Sequence, residues 1–214
     1  MQKVIIPGIL EKTLEEIKEK LEEVESMTPL VQIDVEDGTF TNATTFCDVD
    51  ALNELDTSAI LELHLMVQNP KNFIPKFPKA VRKLIFHIES QGLYREIIED
   101  VEERGFEVCL CLNPDTPFED VEPFLEFAGS VQFMTVNPGV QGQKFLPEVL
   151  EKIKAFTDEY PQIPVEVDGG INPHTASLSA QAGASLFVSG SYILDSEEIK
   201  KNIESLEEAI ENED

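Results

Sequence analysis

Asp34, His64 and Asp168 come from three separate β-rich runs, LVQIDVE (30–36), ILELHLMV (60–67) and IPVEVD (163–168). Successive side chains of a strand alternate between its two faces. Gln32, Asp34 and Glu36 therefore share one face of the first run, and Glu62, His64 and Met66 share one face of the second. An imidazole with two carboxylates suits a divalent metal ion such as Zn, Mn, Fe or Co. Ordinary hydrogen-bonded polar groups at strand ends would use the same residue types, and the types alone do not decide. Glycines suggest a second chemistry. DGGIN (168–172) and SGSYIL (189–194) each close a β-rich run and lead into a helical one. Backbone N–H groups at Gly169, Gly170, Gly190 and Ser191 can cradle an anion there without a lysine. Tight turns that need glycine conformations are the plainer alternative. NPGVQGQKF (137–145), with two glycines and a proline, reads as a mobile lid.

These residues need a frame that gathers strand ends. Eight β-rich runs, at 3–9, 30–36, 60–67, 83–89, 106–112, 131–136, 163–168 and 185–190, alternate with amphipathic helical patterns. Among the latter, 116–129 predicts a helix with Thr116 as N-cap and Pro117 in the first turn. Gly105 and Gly183 stand where helix C-caps belong. Strand–helix alternation implies a parallel sheet with helices outside. Eight such units in 214 residues match an α/β fold of the TIM (β/α)8 barrel type, with residues 1–214 as one domain. An open doubly wound sheet is the competitor, but G-x-G-x-x-G does not follow the first strand. In a barrel the chemistry collects at the C-terminal strand ends, which is where Asp34, His64 and Asp168 fall.

The formal charge of −26, from 42 acidic and 16 basic residues, argues against nucleic acid and anionic membrane as partners. It also repels a phosphorylated ligand at long range, so a phosphate site must rely on local backbone dipoles. Cys47, Cys109 and Cys111 show no disulfide-scaffold spacing, which predicts reduced thiols and a cytoplasmic protein. Cys109 and Cys111 read as small buried apolar residues, because a C-x-C with no further Cys or His nearby is a poor metal signal. No apolar run is long enough for a signal peptide or a membrane span. The role of His87 is open, and His174 reads as exposed.

VQIDVEDGTF, LELHLMVQNP, FHIES, LCLNPDTP, MTVNPGVQGQKFLPEVLEKI, VEVDGGIN and GASLFVSGSYI occur in the order and spacing of the ribulose-phosphate 3-epimerase family, which the chain resembles along essentially its whole length. That resemblance implies a TIM barrel of the ribulose-phosphate-binding type. It also implies an isomerase of the pentose phosphate pathway that interconverts ribulose 5-phosphate and xylulose 5-phosphate. It further implies that Asp34 and Asp168 are the acid–base pair, and that Asp34, His64 and Asp168 hold one divalent metal ion, with Gln32 as a weak further ligand. The substrate would lie against Gly8, Met66, Met134, Gly142, Gly169, Gly170, Gly190 and Ser191. Family members often assemble, so a homo-oligomer is a further expectation.

The chain departs from the family pattern at the mouth of the barrel. Gln32 stands at a usual His, Gly8 at a usual Ser, Glu36 at a usual Met, Asn137 at a usual acidic residue and Gln141 at a usual Gly. Gln32 can offer a carbonyl oxygen, a weaker ligand than imidazole. Glu36 marks a possible altered site, where a new carboxylate would either ligate the metal or repel an enediolate. Other readings are an epimerase for allulose 6-phosphate, a phosphosugar-binding barrel without catalysis, and an aldol-type synthase or decarboxylase. The last would carry Asp-x-Lys-x-x-Asp at the third strand, and ELHLMVQN has no lysine there.

Overall fold

A computed structural model describes residues 2–93, 95–139 and 142–211. Eight parallel strands are formed by Val4–Ile9 (β1), Leu30–Glu36 (β2), Ile60–Met66 (β3), Val81–His87 (β4), Glu107–Leu112 (β5), Ser130–Met134 (β6), Val165–Asp168 (β7) and Leu186–Ser189 (β8). Each pairs with the next, and β8 closes on β1, giving a TIM barrel. Parallel strands covered on both faces read as continuous apolar runs, which is why β1 to β8 stand out in the sequence. Their outward side chains, among them Ile33, Leu63, Leu65, Phe86, Leu110, Phe133, Val167 and Phe187, are fully buried in the main hydrophobic cluster under the helices.

The helices are Leu14–Val24 (α1), Val49–Leu52 (α2), Arg95–Glu103 (α3), Val149–Glu159 (α4), Pro173–Gln181 (α5), Ser191–Leu194 (α6) and Ile199–Glu211 (α7). Capping boxes set two of the starts, Thr13 with Glu16 for α1 and Asn172 with Thr175 for α5. Gly105 and Gly183 follow α3 and α5 with φ of 86° and 105°, the left-handed region that ends a helix. One expected helix is corrected. Over 116–129 the chain forms only a 3-10 segment, Phe118–Phe124, and Thr116 caps nothing but donates its hydroxyl to Glu89 (2.5 Å). Pro123, inside the segment, has no N–H to give to an α-helical ladder.

The barrel interior holds buried polar groups, among them Gln32, Glu62, His64, Lys83, His87, Gln132 and Glu166. β2 and β3 run in register, Gln32 beside Glu62, Asp34 beside His64 and Glu36 beside Met66. In the lower part of the barrel Lys83 pairs with Glu62 (2.8 Å) and with Glu166, and all three are buried. Burial first, then the charge of Glu166, push the Glu62 carboxyl up to about 8, against the pull of Lys83. A carboxyl with a higher pKa in the folded chain binds its proton more firmly there. Its contribution to stability is complete below its ordinary value of 4.5 and is lost as pH rises through about 8. Urea unfolding of Glu62→Gln will therefore show a flatter fall in stability across that window than the parent; equal slopes would refute the assignment.

Candidate active site

A cleft of about 480 Å3 opens at the C-terminal ends of the strands. Asp34 and Asp168 line it, together with Gly8, Met66, Met134, Gly142, Gly169, Gly170, Gly190 and Ser191, so the eight residues expected against substrate face one space. His64 lies just behind it, fully buried, with Nδ1 3.3 Å from Asp34 Oδ1 and 3.1 Å from Asp168 Oδ2. Burial by itself would strip the imidazole of its proton, but hydrogen bonds to Asp168 and Asp34 hold its pKa well above the ordinary value. The Asp34 carboxyl is raised, first by burial and also by the neighbouring charge of Asp168, with His64 and Gln32 pulling the other way.

Gln32 sits among these groups. Its Nε2 donates to Asp34 Oδ1 and Asp168 Oδ2, both at 2.8 Å, and lies 3.4 Å from His64 Nδ1. Its Oε1 faces Gln132 Nε2 at 3.5 Å, and Gln132 also donates to Asp168 (2.9 Å). The amide oxygen that could serve a metal ion points away from Asp34 and Asp168, and the nitrogen faces them and donates to both. Donor atoms of Asp34, His64 and Asp168 lie within 4.8 Å of one another. Two carboxylates and an imidazole at that spacing fit a divalent ion. Gln32 joins the set only by turning its amide over.

Glu36 is buried beside the cleft, where its Oε1 accepts from Thr41 Oγ1 (2.8 Å) and its Oε2 has no partner among the described residues. Burial foremost, and the charge of Asp34, raise its pKa. His174 is exposed on α5. Of the 137–145 segment, Val140 and the departure at Gln141 lie outside the described residues.

The glycines after β7 are demanded by the backbone. Gly170 has φ of 65°, and a Cβ there would come within 2.8 Å of Phe145 N; a Cβ on Gly169, at φ 119°, would meet Val136 at 2.4 Å. Gly170→Ala will therefore strain the turn and destabilise the fold by about 1–3 kcal/mol, the cost of holding a side chain in this backbone region. An unchanged urea midpoint would show that the turn absorbs the methyl group freely.

The model of the ribulose-phosphate 3 epimerase family matches residues 4–194. The chain belongs to the ribulose-phosphate 3-epimerase family. It is 37% identical to the cytoplasmic isoform of ribulose-phosphate 3-epimerase from Oryza sativa subsp. japonica, over 85% of this chain and 82% of that one. It is 35% identical to ribulose-phosphate 3-epimerase from Bacillus subtilis (strain 168), over 94% of this chain and 97% of that one. Among solved structures, 3-hexulose-6-phosphate synthase from Salmonella typhimurium superposes with a TM-score of 0.70 at 13% identity, covering 99% of this chain and all of that one, a likeness of fold. No helix among the described residues is long and apolar enough to cross a membrane.

For an epimerase-family chain the sequence reading missed several polar groups. Gln132 shares the inward face of β6 with Met134, an alternation visible in VQFM. Cys111 lies buried in an apolar cluster as expected, and His64 and His87 also offer ring nitrogens close to its sulfur. Burial would raise its thiol, but the His87 and His64 rings bring it below the ordinary value. Nothing local to FEVCLCL reveals those histidines, which arrive from β3 and β4.

Proposed function

We propose that the chain interconverts ribulose 5-phosphate and xylulose 5-phosphate by moving the C3 proton between two carboxylates. One observation carries the reading: Asp34 from β2 and Asp168 from β7 converge on the same His64 nitrogen and line a cleft that Gly142, Gly169, Gly170 and Gly190 also line. One aspartate, ionised, takes the C3 proton from one face of the ketose and leaves an enediolate. The other, protonated, returns a proton to the opposite face. A divalent ion (Zn, Mn, Fe or Co) held by Asp34, His64 and Asp168 would draw charge from the substrate oxygens and acidify C3–H. Gln32 and Gln132 orient the carboxylates by hydrogen bonds. Gly142, Gly169, Gly170, Gly190 and Ser191 would receive the phosphate through backbone dipoles, and Met66 and Met134 would form an apolar wall. With Cys47, Cys109 and Cys111 unpaired in disulfides, a reducing, cytoplasmic setting suits the protein.

The test is loss of deuterium from C3-labelled ribulose 5-phosphate together with formation of xylulose 5-phosphate. Phosphosugar binding without exchange, at any divalent metal supplied, would instead mark a binding barrel without catalysis. A second measurement addresses Gln32. Replacing an amide nitrogen that faces both carboxylates by an imidazole ligand will tighten metal binding in Gln32→His by about tenfold or more. Equal affinities by metal titration would mean that Gln32 is not the weak point.

A further inference from the structure

His64 turns its two ring nitrogens to different neighbours. Nδ1 faces Asp34 and Asp168, while Nε2 lies 2.9 Å from His87 Nε2. His87 Nδ1 in turn faces Glu89 Oε2 at 3.2 Å. The two Nε2 atoms face one another, and neither is taken by a carboxylate. Metal–nitrogen bonds of about 2.0–2.1 Å do not fit on the line between them, so an ion would sit off that line, toward the Cys111 sulfur. Cys111 adds a third donor: donor atoms of His64, His87 and Cys111 lie within 4.8 Å of one another, and all three residues are fully buried.

Glu89 is itself held rigidly, accepting from Asn113 N (2.7 Å) and Thr116 Oγ1 (2.5 Å). A carboxylate that fixes the far nitrogen of a histidine is the usual support of a metal-ligating imidazole. We propose that His64, His87 and Cys111 form a second metal site, selective for a thiophilic ion such as Zn2+ or Cu+, that shares His64 with the carboxylate site. One sulfur and two imidazoles favour such ions over Mg2+ or Mn2+, which prefer oxygen. Zn2+ with a thiolate leaves one net positive charge, and Glu89, Asp34 and Asp168 stand around it to balance that charge. Both sites draw on His64, so filling one alters the other.

Full-length protein, stripped of metal with a chelator, would be titrated with Cd2+ as the probe while the thiolate-to-cadmium charge-transfer band is followed. One equivalent should saturate the band, and Zn2+ should displace it. The band should vanish in Cys111→Ser and persist in Cys47→Ser and in Asp34→Asn. His87→Gln keeps the thiol, and there Cd2+ affinity should fall at least about tenfold. This variant decides the matter if Cys111→Ser does not fold. Absence of the band, its persistence in folded Cys111→Ser, its loss in Asp34→Asn, or undiminished affinity in His87→Gln would overturn the proposal. The readout is a spectrum, so a chain with no epimerase activity would still report on this site.

Discussion

Asp34→Asn and Asp168→Asn will each lower epimerisation of ribulose 5-phosphate by about 100- to 10,000-fold, the range that positioned proton transfer contributes. Asparagine keeps the size of the side chain and still accepts a hydrogen bond from Gln32, so the loss will not come from collapse of the site. The two variants should differ in a way that a purely structural defect cannot imitate. In the proposed mechanism the carboxylates act on opposite faces of the substrate, so each variant retains one base. One will still exchange the C3 proton of ribulose 5-phosphate with solvent but not that of xylulose 5-phosphate, and the other will show the reverse. Exchange lost from the same epimer in both variants would point to a single base and sink the two-carboxylate mechanism.

Lys83→Met will destabilise the fold by about 3–5 kcal/mol, the cost of removing one member of a buried ion cluster. Lys83 is the only cation in contact with Glu62 and Glu166 among the described residues, and the opposing carboxylates are wholly buried. Without it, one carboxylate must stay charged in the barrel or take up a proton. At about 2–4 °C per kcal/mol for a chain of this size, the midpoint will fall by about 6–20 °C. The triple change Lys83→Met, Glu62→Gln, Glu166→Gln should recover much of that, because neutral groups carry no burial penalty of this kind. A single-variant loss under about 1 kcal/mol would mean that water or another charge already screens the cluster.

The barrel was legible because β1 to β8 are covered on both faces, so each is an apolar run that stands out from the amphipathic helices between. Its polar interior was legible in part. Asp34, His64 and Asp168 alternate with apolar neighbours, and that alternation alone sends them inward near the strand ends. Where the reading failed, a competing local rule or a distant neighbour was responsible. Thr116 had the form of an N-cap, but Glu89 drew its hydroxyl away and Pro123 interrupted the helix that it would have capped.

What the residues determined by themselves was periodicity: the number and order of strands, the end of the barrel that carries chemistry, and which side chains point inward. What only the tertiary structure decided was which inward side chains meet. Gln32 and Gln132 lie 100 residues apart and share a hydrogen-bond network, and Lys83 bridges carboxylates from β3 and β7. His64 and Cys111 come together from strands separated by a third. Barrel closure and the stagger between strands set those meetings, and no local pattern in the chain encodes a distance between side chains brought together only when β8 closes on β1.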